Sequence, residues 1–149
     1  MNPVAAYQVS RVNGASPARL VVMLYDRLLG SVEEGRQALA DGRLMEAQPP
    51  LLRAQRIACE LLSALEPGGG EITENLRNLY VYSVSAIEKA KTSGESAHLE
   101  GATRALEPLR EAWCELARAA ETAPEADAVH TAPADGGARR PLLARGVAA

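Results

Sequence analysis

The sequence predicts an all-α protein, an antiparallel up-and-down four-helix bundle followed by a disordered C-terminal tail. Four segments of about 20 residues repeat apolar side chains at spacings of three and four, which is typical of amphipathic helices. Breaks containing glycine or proline separate these segments and leave short connections, which favours antiparallel neighbours in one bundle. No segment has a convincing strand pattern. We therefore predict a bundle domain over residues 1–122 and a tail over residues 123–149.

The first helix is predicted to run over Pro17–Ala40. Ser16 can cap its start, and proline is tolerated at the first helical position. Gly42 can adopt the left-handed conformation that ends helices. The apolar surface is wide, so we expect this helix to contact neighbours on more than one side. Its main face contains Leu20, Met23, Leu24 and Leu28, and its margin contains Val21, Val22 and Tyr25.

The second helix is predicted to begin at Pro49 and to end near Leu65. Proline inside a helix removes a hydrogen bond and clashes with the preceding turn. The simplest solution places Pro49 at the helix start, where its missing donor would be unpaired anyway. Residues 43–48 would then form a separate turn or a kinked lead-in. The inward positions are Leu51, Ala54, Ala58, Leu61 and Leu65.

The third helix is predicted over residues 72–92 and ends at Gly94. A Pro-Gly-Gly-Gly loop precedes it, and this loop lacks the Gly-Lys-Ser/Thr sequence of a phosphate-binding loop. The inward seam of the third helix contains Ile72, Leu76, Leu79, Ser83, Ile87 and Ala90.

The fourth helix is predicted over residues 96–120, with a bend at Pro108. Its apolar residues follow a strict three-four repeat, which is the pattern of a helix packed in a bundle. That seam contains Leu99, Ala102, Leu106, Leu109, Trp113, Leu116 and Ala120. From Ala123 onward the chain is rich in alanine, proline and glycine without periodicity, so we expect it to be disordered and dispensable for folding.

Composition and charge narrow the classes of function. The 149 residues are 47% hydrophobic and 23% charged, which is ordinary for a soluble globular protein. The net charge of -3 argues against a nucleic-acid binder, which would usually be basic. The N-terminus lacks the pattern of a signal peptide, and the longest apolar run, residues 20–25, is too short to span a bilayer. We therefore expect a cytoplasmic protein without membrane insertion.

The titratable residues do not form a recognisable catalytic or metal-binding pattern. Glu95 and His98 have the Glu-x-x-His spacing of di-iron bundles only once, and His130 lies in the predicted tail. Cys59 and Cys114 belong to no ligand cluster, so we interpret them as free thiols. The sequence predicts no enzyme, no metal site and no cofactor.

Several apolar and aromatic residues remain to be explained. Val4 and Tyr7 precede the first helix in a polar stretch, and Tyr80 and Tyr82 cannot share one helix face. Such residues can belong to the core, or they can line an apolar groove for a helix of another chain. Both interpretations remain open at this point.

Two motifs carry a family resemblance. The first is Ala6-Tyr7 followed by Ser16-Pro17-x-x-Leu20-x-x-Met23-Leu24-Tyr25-Asp26, and the second is Gly69-Gly70-Glu71-Ile72-x-x-Asn75-Leu76-x-x-Leu79-Tyr80-x-Tyr82. Ala54 with Ile57, and Ala112-Trp113, add to the resemblance. In this order and spacing, over roughly residues 4 to 120, the chain resembles the FliS family of flagellar secretion chaperones. It departs from the family pattern at Arg27, where glycine is usual, at Val81, where aspartate is usual, and at Lys91, where asparagine is common.

The resemblance implies a cytoplasmic export chaperone that binds the disordered C-terminal segment of flagellin. Such a chaperone prevents premature polymerisation and assists delivery to the flagellar export gate. The client segment is expected to become helical on the bundle surface. The predicted client-binding residues are Val4, Tyr7, Leu20, Leu24, Tyr25, Leu76 and Tyr80.

Two alternatives remain beside the chaperone. One is a four-helix phosphotransfer domain that uses His98, and the other is a structural helical protein that associates with itself. The oligomeric state stays open.

Overall fold

Four helices and no strands make up residues 16–122, the part of the chain that the computed structural model describes. They are α1 (Pro17–Ala40), α2 (Leu44–Ser63), α3 (Glu71–Ser93) and α4 (His98–Glu121). The predicted all-α, four-helix fold is confirmed. The predicted disorder of residues 123–149, and the residues before Ser16, lie outside the described part.

The helices form an antiparallel ring in which each packs on the next and α4 closes against α1. Arg19, near the start of α1, binds Glu121 at the end of α4. Further along α1, Asp26 binds Arg110. Residue numbers therefore rise along α1 while they fall along α4, which is the arrangement of an up-and-down bundle.

The ends of α1 lie where the sequence predicts them. The Ser16 side chain accepts a hydrogen bond of 3.0 Å from the backbone N–H of Arg19 and so caps the first turn. Gly42 follows the helix with a φ of 77°, a left-handed conformation that glycine adopts without strain. The bounds of α3 and α4 agree with prediction to within two residues.

The predicted start of α2 at Pro49 is wrong. The helix begins at Leu44 and contains both Pro49 and Pro50. The prolines remove donors only for the carbonyls of Met45 and Glu46, and both of these residues are exposed at the outer end of the helix, where water can bind them. The added turn also buries Ala47 completely in the core.

The strict repeat predicted for α4 holds only for its first part. Leu99, Ala102, Leu106 and Trp113 are buried, whereas Leu116 is 49% exposed and Ala120 is also exposed. A straight helix drifts by about 20° per heptad relative to a 3.5-residue repeat, so the seam rotates out of the core. Cys114 and Ala117 take the inward positions instead.

Three predicted inward residues of α1 and α3 also lie outside the core. Met23 on α1 is 55% exposed, Ile72 at the start of α3 is 46% exposed, and Leu79 on α3 is only partly buried. The wide apolar margin of α1, which contains Val21, Val22 and Tyr25, is buried. The inward positions predicted for α2 are all buried.

Gly35 lets α1 approach α2 closely. A methyl group added there would lie 2.3 Å from Cδ2 and 2.5 Å from Cγ of Leu51, which is fully buried, so the Leu51 side chain would have to shift within the core. Gly35→Ala is therefore expected to lower the free energy of unfolding by about 1–3 kcal/mol, as overpacking does. Gly30→Ala, in the same helix with nothing within 4 Å of the new methyl, is expected to raise it by about 0.5–1 kcal/mol. Denaturant unfolding of both variants measures the contrast, and equal effects would contradict the close packing.

Candidate functional site

Five of the seven predicted client-binding residues lie in the described part of the chain, and all five are buried. Val4 and Tyr7 lie outside it. Four of the five belong to the core cluster that residues of all four helices form, and Leu20 is not part of that cluster. Their contact with a client stays a prediction. The four clustered residues are Leu24, Tyr25, Leu76 and Tyr80.

Tyr25 and Tyr80 join α1 and α3 across the core. Their hydroxyl oxygens lie 2.5 Å apart and share a hydrogen bond, and neither side chain is exposed. Each hydroxyl therefore supplies the partner that a buried polar group needs. Burial raises the pKa of Tyr80 to about 12. Burial, and then the neighbouring Tyr80, raise the pKa of Tyr25 above its usual value.

These pKa shifts predict a loss of stability at high pH. Below the unfolded-state tyrosine pKa of about 10, both states are protonated and the stabilisation is complete. Above it, the unfolded state loses protons that the folded state keeps, so the free energy of unfolding falls as pH rises from about 10 through about 12. Denaturant unfolding across this range measures the slope. The double variant Tyr25→Phe/Tyr80→Phe should show a shallower slope, and an identical slope would contradict the assignment.

An apolar groove runs along the outer side of the contact between α2 and α3. Two adjoining hollows form it, and they share Gln55, Cys59 and Val84. Cys59 is exposed, and Leu62 and Val84 are half-buried against the core. The α2–α3 groove is defined by Leu52, Gln55, Cys59, Leu62, Val81 and Val84. Its rim carries Arg56, Glu60, Ser63, Ser85, Glu88, Lys89 and Thr92.

The groove arises because α2 carries a second apolar stripe beside its inward one. Leu52, Cys59 and Leu62 follow one another at helical spacing, next to the buried Leu51, Ala58 and Leu61. This stripe was not predicted from the sequence. The signal was present in two leucine doublets at 51–52 and 61–62, since adjacent helical residues point about 100° apart and the second leucine of each pair lies beside the inward stripe.

Polar side chains bind α2 to α3 at one end of the groove. The Gln55 amide nitrogen donates to the Val84 carbonyl at 3.3 Å and to Glu88 Oε1 at 2.9 Å. Lys91 Nζ donates to Gln55 Oε1 at 2.9 Å and lies 3.5 Å from Glu88. We call Gln55, Glu88 and Lys91 the polar clasp.

Another hollow lies between α1 and α4, and its lining is mostly charged, unlike that of the α2–α3 groove. Five of its seven lining residues are charged, and Asp26 and Arg110 are already bound to each other. A surface of this kind is usually solvated, and exposed ion pairs add little binding energy. It is lined by Asp26, Leu29, Arg104, Glu107, Pro108, Arg110 and Glu111.

The remaining candidate residues do not assemble into a reactive site within residues 16–122. His98 is partly exposed and lies 3.5 Å from Glu95. Cys59 is exposed and Cys114 is buried, and both are free thiols. In this part of the chain no three histidine, cysteine or acidic residues group in a way that could hold a metal ion. None of the four described helices combines the length and apolarity that crossing a bilayer requires.

Comparison with known proteins identifies the family. The family described as "Flagellar protein FliS" matches residues 1–120. The flagellar secretion chaperone FliS of Bacillus subtilis is 28% identical over 112 residues, which cover 75% of this chain and 84% of that protein. The same-named protein of Salmonella typhimurium is 29% identical over 109 residues, covering 72% and 81%. That of Vibrio cholerae is 27% identical over 108 residues, covering 72% and 79%.

These matches agree with the motifs, the four-helix fold and the spacing described above. The family is one of chaperones and not of enzymes. The chain belongs to the FliS family of flagellar secretion chaperones.

Proposed function

We propose that this protein is a cytoplasmic chaperone that binds the disordered C-terminal segment of flagellin. In this role it prevents premature polymerisation and assists delivery of flagellin to the flagellar export apparatus. The observation that carries the proposal is the apolar α2–α3 groove on a bundle of the FliS family.

The groove has the dimensions and chemistry that suit a client helix. Its α2 side extends from Leu52 to Leu62, about 15 Å at 1.5 Å per residue. About three turns of a client helix fit over this length and can present anchors at spacings of three and four. Apolar side chains line the centre and charged side chains form the rim, as in many protein interfaces. Binding of this kind needs no catalytic residue.

The client is expected to fold as it binds. A disordered segment that becomes helical buries on the order of 1,000–3,000 Å² and gives a negative heat-capacity change. Part of the interaction energy orders the segment, so the affinity is lower than the contact area alone would suggest.

Removal of residues 1–8 is expected to weaken client binding. We propose that Val4 and Tyr7 contact the client or support its site, because tyrosine offers an apolar ring and a hydroxyl together. Calorimetric titration of a flagellin C-terminal peptide into the full and shortened proteins measures the change. Tighter binding to the shortened protein would instead mean that these residues compete with the client.

Size-exclusion chromatography with light scattering tests the proposed function against its alternatives. The protein is mixed with a C-terminal flagellin segment, and the expected result is a complex with the mass of both chains. A mass that changes with protein concentration but not with the segment would favour a structural, self-associating protein. A mass increase of one phosphate after incubation with acetyl phosphate, lost in His98→Ala, would favour the phosphotransfer alternative.

A further inference from the structure

The α2–α3 groove has two chemically different ends. Cys59, Leu62 and Val81 make the end near the α2–α3 connection apolar. The polar clasp lies toward the other end, where Lys89 and Thr92 also line the groove. Along α3, a bound helix therefore meets apolar surface at one end and polar surface at the other, while on α2 the exposed Leu52 lies beside the clasp.

The hydrogen bonds of the polar clasp hold the Gln55 amide in place. Its nitrogen has two hydrogens, and the two acceptors described above can use both of them. Its oxygen accepts from Lys91, whose side chain is only 18% exposed and is thus largely removed from solvent. A further hydrogen bond joins α2 to α3, because the Gln48 amide nitrogen donates to the Lys91 backbone carbonyl at 3.3 Å.

This arrangement penalises an apolar client residue at the polar end. A leucine laid over the Glu88 carboxylate, which lines the groove and is 55% exposed, would remove water from that charge without replacing its hydrogen bonds, which is unfavourable. A polar client residue can hydrogen-bond there instead. Discrimination of this kind rests on a penalty against the wrong partner as much as on attraction to the right one.

Val81 and Lys91 contribute to the contrast between the two ends. Val81 lines the apolar end. Lys91 supplies the ammonium group that binds the Gln55 amide oxygen at the other end.

We propose that the polar clasp determines the specificity of the groove by fixing the direction and register of the bound client helix, with Glu88 facing the client and Gln55 and Lys91 holding Glu88 in place. The preferred client is an amphipathic helix whose apolar anchors lie over Cys59, Leu62 and Val81. Its polar side chains lie over the clasp. This inference rests on the proposed function, because it assumes that the groove binds a helical segment of flagellin.

A leucine scan of the client tests the inference. Each polar residue of the flagellin C-terminal peptide is replaced by leucine in turn. The dissociation constant of every peptide is measured with the wild-type protein and with Gln55→Leu/Glu88→Leu/Lys91→Met, which removes the whole clasp. In the wild type, leucine in one short stretch of the peptide is expected to weaken binding about tenfold, as loss of a buried hydrogen bond does. In the variant, the same substitutions are expected to change binding by less than about twofold.

Thermal unfolding of the variant separates specificity from stability. If the triple variant does not fold, Glu88→Leu alone, which retains the Gln55 amide and its bond from Lys91, replaces it in the scan. The same position-dependent penalty in wild type and variant would overturn the inference while leaving the proposed function intact. An absence of any position-dependent penalty in the wild type would do the same. A failure of the wild type to bind the unsubstituted peptide would overturn the proposed function, and the inference with it.

Discussion

Trp113→Ala is expected to lower the free energy of unfolding by about 3–5 kcal/mol, the usual loss for removal of a large aromatic side chain from a core. Trp113 is 8% exposed and belongs to the core cluster that joins the four helices. Small domains are stable by about 5–15 kcal/mol, so this variant should be close to unfolding at physiological temperature. Urea denaturation followed by circular dichroism measures the loss.

Leu116→Ala on the same helix is the matched control. Because half of the Leu116 side chain is already exposed, its truncation is expected to change stability by less than about 1 kcal/mol. Similar losses of stability in Trp113→Ala and Leu116→Ala would contradict the finding that Trp113 faces the core while Leu116 faces outward. Strong iodide quenching of the Trp113 fluorescence in the native wild type would contradict its burial.

Cys59→Glu is expected to weaken binding of the flagellin C-terminal segment about 30-fold or more. Cys59 lies in the part of the groove that both hollows share, so the new carboxylate would lie under the client helix and lose its water there. A loss of about 2 kcal/mol, the lower bound for a hot-spot residue, corresponds to that factor. Stability should change little because Cys59 is exposed.

Met23→Glu provides the control for the binding experiment. Met23 is an exposed apolar residue on α1, away from the groove, and it receives the same charged side chain. Its effect on the dissociation constant is expected to be less than about threefold. Equal losses in the two variants would mean that the client does not bind at the α2–α3 groove.

Features that depend on local interactions are the ones that the sequence predicts. The ends of α1 were predictable because Ser16 and Gly42 act through hydrogen bonds and backbone conformation within a few residues. The start of α2 was not, because it depends on the burial of Ala47 against other helices, while the two lost hydrogen bonds fall at an exposed end. The outward turn of Leu116 depends on the geometry of the whole helix, which a fixed repeat does not represent.

The tyrosine pair and the groove both depend on contacts between helices, which the sequence motifs do not specify. Tyr25 and Tyr80 were recognisable in the sequence, yet the structure places them in the core, where they bind each other. Spacing along one helix could not reveal a pair that joins α1 to α3. The groove combines side chains of α2 and α3 whose relative register is set by the fold, as the bond from Gln55 to the Val84 carbonyl illustrates.

The most direct test of the chaperone function is a calorimetric titration of the flagellin C-terminal segment into the protein, with far-ultraviolet circular dichroism of the same mixture. We expect saturable heat, a negative heat-capacity change and more helix in the mixture than in the two separate components, since the client folds as it binds. No detectable heat and no gain in helix at protein concentrations well above micromolar would contradict the proposal that this protein binds flagellin.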